Sequence, residues 1–111
     1  LRLDVLRAAR SGDFDAAKAG AQKEAATEPR KIVEFVTWEG TRAGAAAALG
    51  WLQSLPAETQ TNQPAALLAA QCQAALRQWR PLEVSLERQQ WGELDFVRLA
   101  FKSLALRGQE L

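Results

Sequence analysis

Between its proline and glycine signals this chain repeats apolar residues three and four apart, and nowhere alternates them for the length of a strand. Ile32, Phe35 and Val36 lead to Glu39; Leu82 leads to Leu86; Leu94 and Val97 lead to Phe101 and Leu104. That spacing places side chains on one face of a helix, whereas a strand needs a period of two. Ala, Leu, Glu, Gln, Arg and Lys, the strong helix formers, dominate, and Val and Ile are few and scattered. The pattern predicts an all-α fold, a single bundle of five to seven helices without a sheet. With 111 residues the chain is one domain long. At that size folding buries roughly two-thirds of the surface the unfolded chain exposes, enough for a core without staples.

Punctuation divides the chain. Leu3, Leu6 and Ala9 or Arg10 fall at helical spacing, and Ser11-Gly12 reads as their stop. Asp13 then reads as the cap of a second helix over 14–26, whose thin stripe of Phe14, Ala17 and Ala21 predicts a place at the edge of the bundle. Pro29 starts the next segment, since a proline at the first helical position gives up an N–H that has no partner there anyway. The stretch 29–54 reads either as one helix or as two joined near Glu39-Gly40-Thr41, with four alanines at 45–48 that permit close helix approach. Residues 55–64 form the clearest loop. Pro64 opens a helix whose stripe is Leu67 or Leu68, Cys72, Ala75, Leu76 and Trp79. Pro81 breaks or kinks the chain about four residues back, because it removes a ladder bond and clashes with the preceding turn. Trp91-Gly92 interrupts the period again, and the last helix, 93–107, is expected to stop at Gly108. The helical pattern begins at Leu1 and the chain has no methionine, so 1–111 is expected to be one helical domain from a larger protein.

The residue inventory limits chemistry. Fourteen basic against thirteen acidic residues leave a net charge of +1, which argues against a dedicated polyanion binder. There is no histidine and a single cysteine, so neither an imidazole base nor a cysteine-rich zinc site is available. Cys72 lacks the histidine that a nucleophilic thiol usually needs and sits at a core-like position, which predicts a packed structural residue. Gly40-Thr41-Arg42-Ala43-Gly44 lacks the Lys-Ser/Thr end of a phosphate-binding loop. The expectation is a domain that is not an enzyme, with no catalytic residue, cofactor or metal. Glu83, Glu87, Glu93 and Asp95 are spaced like a solvated face paired with Arg88 and Arg98. Arg98 and Lys102 read either as part of that paired face or as a weak phosphate-touching patch, so contact with nucleic acid is at most indirect. No apolar run approaches the ~20 residues that span a bilayer; no signal peptide, no membrane partner and a cytoplasmic location are expected.

Four tryptophans are many for so alanine-rich a chain. Each can fill a core corner or anchor a protein interface. Trp91, beside Gly92 at a helix break, reads as the one at a surface or subunit contact. With Leu94, Arg98, Phe101 and Lys102 it forms the candidate interface.

The stretch from Leu86-Glu87-Arg88 through Gln89-Gln90-Trp91-Gly92 to Leu94, Val97, Phe101 and Leu104 resembles the end of the bacterial DNA polymerase III clamp-loader delta-prime subunit. In that family a helix ending in a Leu-Glu-Arg-like sequence breaks at a short polar turn, and a leucine-rich helix completes the C-terminal collar domain. Gln89-Gln90-Trp91 stands where the family usually has an asparagine-containing turn. The resemblance implies a domain without a nucleotide site that holds neighbouring subunits together by helix–helix contact in DNA replication, hence other protein subunits as partners in a hetero-oligomer. Read from the residues alone, the chain fits an independent adaptor binding a partner peptide or helix nearly as well, and the accessory domain of an enzyme less well.

Overall fold

The computed structural model describes residues 11–110. The helix expected from Leu3, Leu6 and Ala9 lies outside that range, and the side chains of Phe14 and Ala17, expected on the stripe of the next helix, are outside the description. Seven α-helices follow one another: α1 (Ser11–Ala25), α2 (Pro29–Ala43), α3 (Ala45–Gln53), α4 (Ala57–Thr61), α5 (Ala65–Ala75), α6 (Trp79–Glu87) and α7 (Asp95–Glu110). A single 3₁₀ turn, Gly92–Leu94, leads into α7. Among the described residues there is no strand, so the all-α expectation holds.

Local chemistry accounts for most of the boundaries. Pro29 occupies the start of α2 as expected. The stretch 29–54 is two helices, but the break comes at Gly44 rather than near Gly40. Gly44 adopts φ 99°, a backbone that other residues rarely tolerate, and its N–H bonds back to the Glu39 and Gly40 carbonyls. Gly40 itself stays helical. The Pro81 break falls where the steric argument puts it: α5 ends at Ala75, Arg77 takes φ 57°, and Gln78 precedes α6.

Three expectations need correction. Ser11, Gly12 and Asp13 are helical, so Asp13 does not cap a helix; the low propensity of Gly and Asp is a weak force that surrounding structure overrides. The loop over 55–64 contains α4, held by the Gln60 side chain, whose Nε2 donates to the Gln53 and Leu55 carbonyls at 3.0 and 2.6 Å. Gly108 does not end the last helix, which continues to Glu110. Its lack of a side chain serves packing instead: a Cβ there would lie about 2.5 Å from Cδ2 and Nε1 of the Trp79 indole.

The core has three parts. Ile32, Val36, Leu49, Leu52, Leu55, Ala65 and Cys72 form the first, between α2, α3 and α5. Ala66, Ala70, Leu82, Leu86, Trp91 and Ala105 form the second, between α5, α6 and α7. Phe35 and Ala25 join α1 to α2, with Trp38 and Trp51 beside them; the Phe35 ring lies 4.6 Å from Trp51 and 5.9 Å from Trp38, centroid to centroid, both tilted. Helix α5 packs against α2, α3, α4, α6 and α7. It supplies Ala65 and Cys72 to one cluster and Ala66 and Ala70 to the other.

One charged side chain is buried deeply among these layers. Glu39 is 1% exposed. Its carboxylate meets Lys18 Nζ of α1 at 3.0 Å and Arg42 Nη2 of α2 at 2.5 Å, and the Arg42 guanidinium lies 4.8 Å from the centroid of the Trp38 ring. A buried carboxylate survives only with such partners, because taking it out of water unpaired costs several kcal/mol. Both cations keep about a quarter of their side-chain surface in solvent, so the triad ties α1 to α2 without burying three charges.

Candidate interaction surface

The five residues singled out in the sequence come together at the junction of α6 and α7, but mostly on its inner side. Trp91 is 4% exposed, the most buried of the four tryptophans, and its surface placement is not borne out. It packs edge-on to Phe101, centroids 6.3 Å apart, and its Nε1 donates to Gln89 Oε1 at 2.9 Å. An indole at a helix break fills the gap left where two helices part, which is why the break drew it inward. Leu94 and Phe101 are half-buried against the same cluster.

Arg98 is held rather than displayed. Its Nε and Nη2 donate to the Asp95 carboxylate at 2.6 and 3.0 Å, and Nη1 donates to the Leu86 carbonyl at 3.1 Å. Asp95 also accepts the Trp91 backbone N–H at 3.3 Å, closing the turn before α7. The Arg98 hydrogen bonds, and then the Trp91 N–H, hold the Asp95 carboxyl below its ordinary value. Lys102 lies 3.9 Å from Glu87. The paired-face expectation therefore holds for Asp95 with Arg98, whereas Glu87 pairs with Lys102 rather than with Arg88 or Arg98. It fails for Glu83, which is 8% exposed and pairs with Arg80 at 3.1 Å. It fails also for Arg88, which makes no ion pair among the described residues.

The outward side of α7 is where the apolar surplus lies. Phe96 is 71% exposed, Leu99 52% and Leu106 46%. At 3.6 residues per turn these three fall within a sector of roughly 80°, opposite Val97, Phe101 and Ala105. The helix is thus apolar on two faces, one in the core and one in solvent. The sequence contains that signal at positions 96, 99 and 106; a single-stripe reading through Leu94, Val97, Phe101 and Leu104 passes over it.

A second feature is a groove of about 510 Å³ floored by α5 and walled by α3 and α4 on one side and α6 on the other. Leu49, Leu52, Ala65, Ala69 and Val84 give it apolar surface, while Gln60, Gln73, Arg80, Arg88 and Gln89 bring polar groups to it. No acidic side chain lines it. Nothing in the sequence marks it, since it arises from the angle between α5 and α6 set by the Arg77 turn.

Cys72 is buried, as expected, and burial raises its thiol above the ordinary value. Among the described residues no three His, Cys, Asp or Glu side chains gather where a metal ion could be held, and no helix is long and apolar enough to cross a membrane. The chain matches no family model, no curated protein and no solved structure.

Proposed function

We propose that this domain is a non-catalytic helical protein-interaction and oligomerisation module, and that its partner is a helix of a neighbouring subunit laid along the outer face of α7. The carrying observation is the second apolar face of that helix. Phe96, Leu99 and Leu106 leave about half or more of their surface in water, and large apolar side chains gathered in one sector of a helix, here with Ser103 and Glu110 among them, are the kind of surface a partner covers. Covering each recovers roughly 1–2 kcal/mol, a fraction of the ~1.5–3 kcal/mol for full burial of such a side chain. The pairing within α7 supports the same reading, because Arg98 and Lys102 are already engaged by Asp95, the Leu86 carbonyl and Glu87.

The resemblance of 86–104 to the clamp-loader delta-prime collar makes ring subunits of that assembly the candidate partners, and a role in bacterial DNA replication in the cytoplasm the setting. In that arrangement α7 supplies contact between subunits while other domains carry nucleotide chemistry. The test is sedimentation of the domain alone and with clamp-loader ring subunits, for the natural sequence and for Phe96→Glu/Leu99→Glu. Association that the double variant abolishes, at unchanged helix content and melting temperature, supports the reading. A monomer under all conditions, or an assembly the variant leaves intact, defeats it.

A further inference from the structure

We infer that the occupant of the outer face of α7 is a second copy of this chain, and that the two α7 helices pair antiparallel about a two-fold axis level with Phe101. The inference rests on the reading of that face as a contact surface and adds the identity and direction of what covers it.

The outer face is a seam with a register. Phe96, Leu99, Ser103, Leu106 and Glu110 recur at alternating steps of three and four, and all five are exposed. That is the spacing with which one helix lays its side chains between those of another. Antiparallel pairing about residue 101 sets Phe96 against Leu106 of the second copy, and Leu99 against Ser103. Each leucine at 99 then enters the space beside a serine, large against small. Parallel pairing instead sets Ser103 on Ser103, which leaves a gap between leucine layers, and brings Glu110 beside Glu110. The seam is therefore complementary to itself in one direction.

Charge selects the same direction. Glu93 lies in the 3₁₀ turn that opens α7, and Arg107 lies in the last turn of that helix. Both are exposed, and neither has an ion pair among the described residues. At about 100° per residue the two border the seam on the same side. In the antiparallel pair Glu93 of each copy meets Arg107 of the other, twice by symmetry. A parallel pair would set arginine beside arginine and glutamate beside glutamate. Lys102, which comes nearest its own counterpart, is already drawn to Glu87 at 3.9 Å. From Phe96 to Leu106 the seam runs about 15 Å. One short helix on another covers less than a permanent interface does, so the dimer forms and parts with concentration.

The experiment is sedimentation equilibrium of the whole chain from about 10 μM to 1 mM, the range in which contacts of this size associate. Each variant is compared at a helix content matching that of the natural chain. A monomer–dimer equilibrium is expected, and Phe96→Glu/Leu99→Glu should abolish it. Glu93→Arg and Arg107→Glu should each weaken the dimer about fivefold or more, because two attractive pairs per dimer become repulsive. Combining the two reversals exchanges the charges and rebuilds the pairs, so Glu93→Arg/Arg107→Glu should return to within about twofold of the natural chain. A monomer at millimolar concentration, a dimer indifferent to either single reversal, or a double reversal no tighter than the singles overturns the inference. A chain that stays monomeric alone yet binds a clamp-loader subunit through Phe96 and Leu99 removes the second copy and leaves α7 as the contact face. A dimer that survives Phe96→Glu/Leu99→Glu defeats both.

Discussion

Replacing a helical glycine with alanine ordinarily stabilises a protein, and Gly108→Ala should do the reverse here. The favourable side is bounded: alanine in place of glycine within a helix is worth roughly 0.5–1 kcal/mol, less near a helix end. Against it stands a Cβ about 2.5 Å from Cδ2 and Nε1 of Trp79, well inside van der Waals contact. The indole cannot simply swing away, because it is half-buried against the α5–α6–α7 cluster. Forcing extra atoms into such a place costs typically ~1–3 kcal/mol. The net expectation is a loss of about 1–2 kcal/mol, or roughly 4–15 °C in melting temperature for a domain of this size. Gly20, Gly40 and Gly50 provide the internal reference. All three are helical, and a Cβ at any of them meets nothing within 4 Å, so each alanine variant should gain roughly 0.5–1 kcal/mol. The assay is urea unfolding followed by helical circular dichroism on the four variants, plus Gly108→Ala in a Trp79→Leu background, where the penalty should vanish. If Gly108→Ala gains stability like the other three, the close approach of α7 to Trp79 is not a packing constraint and the reasoning is wrong.

Trp91→Ala should lower unfolding stability by ~3–5 kcal/mol, measured by the same denaturation, because the indole is buried and loses both Phe101 and Gln89. Glu39→Gln should cost about 2–3 kcal/mol, at or below the foot of the ~3–5 kcal/mol range for a broken buried pair, since Lys18 and Arg42 can each turn to solvent; a neutral result in denaturant melts refutes the triad as a tie between α1 and α2. Cys72 should label slowly with a thiol reagent in the native state. Its raised folded pKa means the unfolded thiol ionises first, so its contribution to stability is present below the ordinary thiol pKa and declines as pH rises through it; flat stability across that range counts against it. Asp95 carries the opposite sign: its folded pKa is lowered, so its contribution is present above the ordinary carboxylate pKa and is lost as pH falls toward the lowered value, and Asp95→Asn should flatten that acid limb.

What could be read in the residues was the class of fold and the helix faces that look one way. Ile32, Phe35, Val36 and Glu39 line up at helical spacing and all four are buried. Pro29, Pro81 and Gly92 mark boundaries because each acts through its own backbone. The failures share a cause. Gly108 and Gly44 have the same local signature, yet one admits a neighbouring ring and the other turns the chain, a difference that only tertiary contact decides. Trp91 sits at a break, which sequence associates with surface, but a break is also a gap that the largest side chain fills. Phe96, Leu99 and Leu106 were visible as apolar residues but not as a face in water, since a helix apolar on two sides looks the same whether its second face meets the core or a partner. The groove was illegible because four separate helices build it.

Helix α5 belongs to two cores at once, and this shapes how the molecule opens. Its Ala65 and Cys72 are sealed by α2 and α3, its Ala66 and Ala70 by α6 and α7. Detaching either end of the chain uncovers one flank of α5 and leaves the other sealed. Amide protons on α5 therefore exchange with solvent only through the openings that dismantle both sides, whereas those of α1 and of the last turns of α7 exchange through smaller ones. Its run of alanines is what allows five neighbours to approach so closely, and the same run gives it little intrinsic grip on any one of them. The segment slowest to exchange is thus the one with the smallest side chains.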